Sequence, residues 1–308
     1  MSYDMTAAAD FMAAHARILD RRRFELLTRA TDPAGALAAL DGYGNPDGGY
    51  GWGLEPDLRS PESQPGAALH AFEAFEEIAP ATSPRAAALC DWLESVTLPD
   101  GGLPFALPLL TTAGSARWWR NADPAQSSLQ ITSIVAGSAH RVARHDKAVA
   151  QHPWLERATE YCVGTIQALV EAPFAIALGF SIRFADALHA RQPEEAERLL
   201  EHLTRFVPAD GRLRVTGGAE DETLHPLDIA PAPGIARTLF SDEVIEADLE
   251  RLAGLQQADG GWIVDFPSAS AAAALEWRGY ATVRAIQILG DSRSAPAQPW
   301  PWDHYELS

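Results

Sequence analysis

Lysine and cysteine are almost missing from this chain. Lys147 is the only lysine among 24 basic residues, so arginine must carry any anion recognition and few groups are left for Schiff-base chemistry. The two cysteines, Cys90 and Cys162, are too few for a disulfide framework or a CxxC zinc site. We expect both to be ordinary buried thiols.

Long apolar runs are missing as well. No stretch approaches the ~18 to 20 residues that a bilayer span needs, and the first thirty residues lack the pattern of a signal peptide. The formal net charge is −18, from 42 acidic and 24 basic residues, and its field would repel a phosphate backbone or an anionic membrane. The sequence therefore predicts a cytoplasmic protein with no nucleic-acid partner and no integral membrane association.

Glycine, in contrast, is abundant and recurs at intervals. The tripeptide Asp47-Gly48-Gly49 returns as Asp100-Gly101-Gly102, then in degraded form as Asp210-Gly211-Arg212, and again as Asp259-Gly260-Gly261. The spacings of 53, 110 and 49 residues fit a repeat of roughly fifty residues with one copy eroded near position 155. A leucine stands eight residues before the first glycine of every copy: Leu40, Leu93, Leu203 and Leu252.

The apolar spacing between the glycine turns is helical. In residues 243–257 the apolar side chains fall mostly on one stripe, and the glycines that follow are typical of a helix end. Each unit is predicted to be a helix, a glycine turn, a loop and a second, less polar helix. The second helices are expected at 66–78, 126–139, 234–240 and 276–289, with another pair at 153–171 and 174–191. No run alternates with period two, so the predicted fold class is all-α.

Helix pairs of this length cannot bury their apolar faces alone and must stack, either as an open solenoid or as a closed ring. The chain shows no polar capping repeat, and a long N-terminal helix at about 6–29 is available to close a circle. We therefore predict an α/α toroid, or barrel, of five to six helix pairs. Residues 1–308 are expected to form this single domain, with an irregular C-terminal tail at about 291–308.

The last copy is specific enough to suggest a family. Residues 256–262, QQADGGW, have the form Q-x3-G-x-W, which resembles the QW repeat of squalene-hopene cyclases and related terpenoid cyclases. Their toroids are shared with protein prenyltransferase β subunits. Through the glycine repeats the resemblance extends over about residues 35–290. It implies a toroid acting on a small apolar, isoprenoid-derived molecule, with a structural role for Gln256, Gly260 and Trp262.

The chain departs from that family at the residues that carry its chemistry. The DxDD acid motif, the DDxxD magnesium motif and the surroundings of a zinc cysteine are all absent from the sequence. No catalytic residue can therefore be transferred from the resemblance. We predict no metal ligands and see no evident cofactor; Mg²⁺ is expected only if the substrate is a diphosphate.

The candidate site residues lie in the loops that lead from the glycine turns into the second helices, because these loops would line the central cavity. A carboxyl group in apolar surroundings can act as a general acid. The candidate catalytic residues are Glu55, Asp57, Asp123, Asp228 with the neighbouring His225, and Glu276. Aromatic and guanidinium groups could bind substrate or stabilise positive charge, and these candidates are Trp52, Arg59, Trp118, Trp119, Arg120, Trp277, Arg278 and Tyr280.

Structural roles for the same residues stay open. Residues 55–59 could form a salt-bridged loop, residues 117–124 could pack on the rim, and Asp228 could be a helix N-terminal carboxylate. Three functions follow. The first is a terpenoid cyclase-like enzyme in which a carboxylic acid protonates the substrate in an aromatic-lined cavity. The second is a polysaccharide lyase or hydrolase with a toroid fold. The third is a non-catalytic binding toroid that pairs with itself or with a second toroid chain.

Overall fold

The computed structural model describes residues 3–29, 31–219 and 222–292, and within these ranges the chain is mostly helical. Its helices are α1 (Met5–His15), α2 (Ile18–Arg29), α3 (Ala34–Asp41), α4 (Pro65–Glu77), α5 (Pro84–Val96), α6 (Arg117–Arg120), α7 (Leu129–Val142), α8 (Lys147–Ala150), α9 (Pro153–Gln167), α10 (Ala175–Leu188), α11 (Pro193–Thr204), α12 (Pro226–Ile229), α13 (Asp242–Gly254) and α14 (Ala271–Asp291). The all-α prediction is confirmed. The predicted tail lies outside the described residues from position 293 onward.

The predicted N-terminal helix at 6–29 is two helices. Asp4 caps α1 by accepting hydrogen bonds from Thr6 N and Ala7 N, and Ala16 ends it in an extended conformation. Arg17 then donates to the carbonyl oxygens of Gly53 and Leu54 in a distant loop, at 3.1 and 2.9 Å. This long-range contact is formed where the helix breaks. No glycine or proline marks the break, which is why the sequence does not reveal it.

The degraded glycine copy, Asp210-Gly211-Arg212, also differs from the prediction. A small antiparallel hairpin follows its turn, with β1 (Leu213–Arg214) paired to β2 (Thr223–Leu224). The expected helix at 234–240 is a 3-10 helix, Ile235–Leu239, preceded by the short α12. Pro226 begins α12, and Pro231 and Pro233 lie between α12 and the 3-10 helix. One continuous helix cannot run through these positions, since proline cannot donate in a helix interior.

The glycine turns pack against the helix that begins the next pair. Gly48, Gly101 and Gly260 all have φ of +91°, a conformation that favours glycine. A Cβ atom at Gly48 would lie 2.9 Å from the carbonyl oxygen of Ala88 in α5, and one at Gly101 would lie 2.9 Å from that of Arg157 in α9. At Gly260 it would overlap the carbonyl of Ala7 in α1. The last turn therefore rests on the first helix of the chain.

The second helices of the pairs lie side by side. Helix α4 packs on α7 and α7 on α10, while α14 packs on α1 and α2, and α2 packs on α4. Glycine allows the closest approach, because a Cβ at Gly137 of α7 would lie 3.2 Å from the Cα of Phe184 in α10. The eroded copy corresponds to α9 and α10, which are joined by residues 168–174 without a DGG turn. In the described ranges no helix is long and apolar enough to cross a bilayer.

Candidate functional site

The loop after the first glycine turn meets the last helix of the chain at Asp57. This carboxylate is 1% exposed. Its Oδ2 accepts a hydrogen bond of 2.8 Å from the indole Nε1 of Trp277, and its Oδ1 accepts one of 2.6 Å from the backbone N–H of Ala269. Both oxygens are thus occupied by N–H donors, and Asp57 fixes the start of α14 against the loop.

A hydrogen-bonded chain begins at Glu55, two residues earlier. Its Oε2 lies 2.8 Å from Nε2 of His70, and Nδ1 of His70 lies 3.1 Å from Oε2 of Glu73. The phenol of Tyr280 donates to Oε1 of Glu73 at 2.8 Å. Glu55, His70 and Glu73 are all buried. The chain therefore links a loop carboxylate to a phenol through one imidazole and a second carboxylate.

The two carboxylates decide the charge of the imidazole. Burial lowers the pKa of His70, but its hydrogen bonds to Glu55 and Glu73 outweigh burial and raise the pKa to about 9. Burial raises the pKa of Glu73. The hydrogen bond and charge of His70 and the charge of Arg23 outweigh burial, and the pKa of Glu73 lies well below its usual range. At neutral pH His70 is therefore an imidazolium between two carboxylates.

Arg23 of α2 completes the buried charges. Its guanidinium donates to both oxygens of Glu77 at 2.7 Å, and one nitrogen lies 3.5 Å from Oε2 of Glu73. The guanidinium also lies over the ring of Tyr280, 5.5 Å from its centroid. Three helices, α2, α4 and α14, therefore share one network of charged side chains.

Aromatic rings lie beside this network. The ring of His70 is edge-on to those of Trp277 and Tyr280, with centroid distances of 6.0 and 5.1 Å, and Phe266 is edge-on to Trp277 at 5.2 Å. Trp277, Tyr280 and Phe266 are half-buried. We call Glu55, Asp57, His70, Glu73, Trp277 and Tyr280 the acid–imidazole cluster. The predicted residues Arg59 and Glu276 form an ion pair of 2.6 Å at the edge of α14, with side chains 29% and 21% exposed.

The remaining predicted residues lie elsewhere. Arg278 forms a two-pronged ion pair with Asp259, at 2.8 and 2.6 Å, and thus holds the last glycine turn. Asp228 accepts a hydrogen bond from the backbone N–H of His225 at 2.8 Å in a capping box, and burial raises its pKa to about 6. His225 lies 3.6 Å from Asp248, away from the cluster.

The tryptophan segment packs on the outside of the loops. Trp119 stacks on Phe105 with ring centroids 4.6 Å apart, and a Cβ at Gly66 would lie 2.9 Å from its ring. The neighbouring Trp118 is 47% exposed, and Arg120 and Asp123 are exposed as well. Trp52, 55% exposed, donates its indole N–H to Asn45 Oδ1 at 2.9 Å. In the described residues, no hydrogen bond, ion pair or ring contact joins any of these five residues to the acid–imidazole cluster.

Sequence reasoning missed His70, Glu73 and Arg23. A signal was present: His70, Glu73 and Glu77 recur at i, i+3 and i+7 within the mostly apolar helix 65–77, so they share one face. A polar stripe on a helix predicted to face the interior points to a functional interior. Most of the predicted candidates stand in loops or helix starts rich in tryptophan and proline, whereas His70, Glu73 and Arg23 stand in helices.

A cavity of about 50 Å³ lies at the C-terminal halves of the second helices. Its lining combines apolar side chains at positions 229–232, 236 and 288 with three arginines and three carboxylates: Arg141, Arg183, Arg284, Glu76, Asp186 and Asp291. The charged groups suit a small polar ligand. Within the described ranges no group of three or more His, Cys, Asp or Glu side chains is placed to hold a metal ion.

Comparison with known proteins adds no relative. No protein-family model matches the chain, and no curated protein matches it. The geometry of the cluster and of the cavity is therefore the basis for assigning a function.

Proposed function

We propose that the chain is a cytoplasmic α/α toroid of six helix pairs, and that it is a terpenoid cyclase-like enzyme acting on an apolar, isoprenoid-derived substrate. The pairs are α1 with α2, α3 with α4, α5 with α7, α9 with α10, α11 with α12 and the 3-10 helix, and α13 with α14. Ring closure is supported by the packing of α14 on α1 and α2 and by the contact of the Gly260 turn with Ala7.

The observation that carries the functional proposal is the contact of buried carboxylates with half-buried aromatic rings. Asp57 and Glu73 are bonded to the polar atoms of Trp277 and Tyr280, and both aromatic residues are half-buried. A positive charge that develops on a substrate beside these rings is stabilised by their π faces and by the fixed carboxylates behind them.

The proton donor is proposed to be Glu55. Both carboxylates accept two N–H donors, but those of Asp57 are an indole and a backbone amide, which do not release a proton. Glu55 accepts from the backbone N–H of Asp57 at 3.2 Å and shares a 2.8 Å hydrogen bond with the imidazolium of His70, which is a proton source. In the proposed step the Nε2 proton of His70 passes to Oε2 of Glu55 and from there to an alkene carbon or epoxide oxygen of the substrate, which leaves a carbocation. After ring closure the cation loses a proton to water, and His70 is protonated again from solvent. Glu73 and Tyr280 position His70, and Asp57 positions Trp277.

No cofactor is proposed for this step. If the substrate is a diphosphate, Mg²⁺ would accompany its phosphates, and activity would then be lost on chelation with EDTA. The distinction is measured by assaying the same polyprenyl chain with and without the diphosphate.

The test is product formation in D₂O from linear polyprenyl alkenes, their epoxides and their diphosphates. We expect a cyclised product that carries one deuterium from the initiating protonation. Glu55→Gln should reduce the rate at least about 100-fold, within the range attributed to general acid catalysis. Glu160→Gln, the same change at an exposed position of α9, is the matched control. Equal rates for Glu55→Gln and the unaltered chain would remove Glu55 as the acid.

A second candidate is favoured by the hydrogen-bonded chain from Tyr280 through Glu73 to His70. This chain fits acid–base cleavage of a sugar chain, the chemistry of lyases and hydrolases that share the proposed toroid. It predicts new reducing ends from an uronate-containing polysaccharide and their loss in Tyr280→Phe. A polyprenyl product without sugar cleavage decides for the first candidate.

A partner role is a separate proposal. Trp52, Leu110 and Trp118, which are 55%, 86% and 47% exposed, lie on the loops that precede second helices. Apolar side chains on this side could be covered by a second copy or a second toroid chain. Sedimentation of the purified chain across a concentration series tests the first of these, and a monomer at all concentrations would contradict it.

A further inference from the structure

The cavity at the C-terminal halves of the second helices brings three guanidinium groups together. Arg141 of α7, Arg183 of α10 and Arg284 of α14 all line it. Three guanidinium groups from three different helices thus face one small space. None of the six members of the acid–imidazole cluster lines this cavity, but the charge of Glu73 acts on Arg183 and Arg284.

The three arginines differ in their pairing. Arg141 donates from Nε to Oε2 of Glu76 at 2.8 Å and from a terminal nitrogen to Ser138 Oγ at 2.9 Å. Arg284 donates only to the amide oxygen of Gln287, at 2.8 Å. In the described part of the chain, neither Arg183 nor Arg284 has a carboxylate oxygen within the 4.0 Å of an ion pair.

Arg183 is the least satisfied of the three. Its Nε is buried and has no hydrogen-bond partner in the described part of the protein. Its guanidinium lies over the ring of Phe180, 5.7 Å from the centroid, and this contact satisfies none of its N–H groups. Burial and the charges of Arg284 and Arg141 lower the pKa of Arg183 to about 10. A cation in this position is held at a cost that a nearby anion would relieve.

The carboxylates that line the cavity do not pair with Arg183 or Arg284 in the described residues. Glu76 is occupied by Arg141. Asp186 accepts a hydrogen bond of 2.8 Å from the backbone N–H of Ala236 and packs against Gly234, so it holds the 3-10 helix in place. Burial raises the pKa of Asp291, and the charges of Arg284 and Arg237 oppose that rise, but Asp291 forms no ion pair with Arg284 in the described residues. The free N–H groups of Arg183 and Arg284 therefore remain available to a ligand.

The size of the cavity limits that ligand. A volume of about 50 Å³ has room for a few water molecules or one small polyatomic ion, and it is far below the ~300 Å³ of a pocket for a drug-sized molecule. One wall is fixed, because Arg237 donates to the carbonyl oxygens of Ala230 and Pro231 at 3.2 and 2.6 Å. Guanidinium groups match the oxygens of phosphate-like anions through paired N–H donors.

We propose that this cavity binds a tetrahedral oxyanion of the phosphate or sulfate class between the guanidinium groups of Arg183 and Arg284, with Arg141 behind them. The anion is either free or the terminal group of a larger phosphate ester. The site does not depend on the reaction proposed for the acid–imidazole cluster. Its bound anion would neutralise the repulsion among three arginines and hold α7, α10 and α14 together.

The direct test is titration of the full chain with inorganic phosphate, at constant ionic strength, followed by calorimetry and by the melting temperature. We expect one site, and a melting temperature that rises with phosphate concentration because the anion binds the folded chain. Arg183→Gln and Arg284→Gln should each weaken phosphate binding at least about tenfold, equivalent to about 1.4 kcal/mol. Arg144→Gln, at an exposed arginine of the same region of sequence, should bind as the unaltered chain does.

A second variant, parallel titrations and a crystal soak complete the test. If Arg183→Gln does not fold, Arg183→Lys retains the charge without the planar fork and should still weaken binding. Sulfate and a phosphate monoester are titrated in parallel: equal affinity for phosphate, sulfate and the ester identifies a free-anion site, and preference for the ester identifies the end of a larger ligand. A crystal soaked in tungstate should show anomalous density between Arg183 and Arg284. No density there, or phosphate affinity unchanged by both glutamine variants, would overturn the proposal.

Discussion

Asp57 and Trp277 stand 220 positions apart in the sequence and are joined by a hydrogen bond of 2.8 Å between the indole N–H and the carboxylate. The carboxylate is 1% exposed, so this donor is one of the few groups that satisfy it. The bond fastens the loop after the first glycine turn to the helix of the last copy. Two distant parts of the chain thus depend on each other for a buried charge.

Replacing the indole tests this bond. Trp277→Phe keeps an aromatic ring but leaves Oδ2 of Asp57 buried without its donor, which should lower the free energy of unfolding by about 1–3 kcal/mol. The measurement is urea denaturation followed by circular dichroism. Trp118→Phe, at a side chain that is 47% exposed, should change stability by less than about 0.5 kcal/mol. Equal midpoints for the two variants would show that Asp57 does not need the indole.

His70 makes stability depend on pH. Its pKa is raised in the folded chain from the ordinary value of 6.5 to about 9, because the hydrogen bonds to Glu55 and Glu73 outweigh burial. The stabilisation is therefore complete below about pH 6.5 and is lost as the pH rises through about 9. Over that window we expect a loss of up to about 3 kcal/mol.

The pH effect can be assigned with two variants. His70→Gln should flatten the dependence of the unfolding free energy between pH 6.5 and 9, whereas His189→Gln, at a more exposed imidazole, should keep it. The protonation state is followed directly by NMR titration of the His70 ring. An imidazole that loses its proton near pH 6.5 in the folded chain would contradict the assignment.

Gly260 is expected to tolerate no side chain. Its φ of +91° disfavours other residues, and a Cβ would overlap the carbonyl of Ala7. Gly260→Ala should therefore destabilise the chain by more than about 1 kcal/mol. Gly254→Ala is the control, because that glycine lies in α13 with open space around it, and alanine should stabilise the helix slightly. Thermal unfolding of the two variants gives the comparison, and a stable Gly260→Ala variant would mean that α1 does not need the turn.

Gln256 links the last glycine turn to the start of α1. Its amide accepts from Asp4 N at 2.7 Å and donates to the carbonyl oxygens of Asp4 and Gly260 at 2.7 and 2.9 Å. Gln256→Ala should lower stability by about 1–3 kcal/mol and expose α1 to proteolysis, since several backbone groups lose their partner at once. Gln257→Ala removes only a local bond to Leu255 and should have little effect. Identical rates of α1 cleavage in the two variants would show that Gln256 does not anchor α1.

The all-α character and the recurrence of glycine turns could be predicted, because such turns leave a strong mark in the sequence. A φ of +91° favours glycine at Gly48, Gly101 and Gly260, so these three turns are visible as a spacing in the sequence. The break after α1 could not be predicted, because it coincides with the long-range contacts of Arg17 rather than with a local signal.

The candidate site was predictable only in part. Glu55, Asp57 and Trp277 stand in loops or helix starts that the repeat places together, and the structure brings them into one cluster. His70 shares a helix face with Glu73 and Glu77, but the loop and the last helix that meet this face are brought there only by tertiary packing. The exposed residues Trp118 and Asp123 resemble site residues in sequence, because solvent exposure depends on tertiary packing.

The eroded copy has a consequence for motion. Where α9 leads into α10, residues 168–174 contain no DGG turn of the kind that packs on the next pair at Gly48, Gly101 and Gly260. Side-chain contacts across this gap include the hydrogen bonds of Gln167 with Glu195, at 2.8 Å, and of His202 with the Leu169 carbonyl, at 3.0 Å, at exposed or partly buried positions. Backbone amides of α11 should therefore exchange with solvent earlier than those of α7, and the seam between α9 and α11 is where the fold opens first.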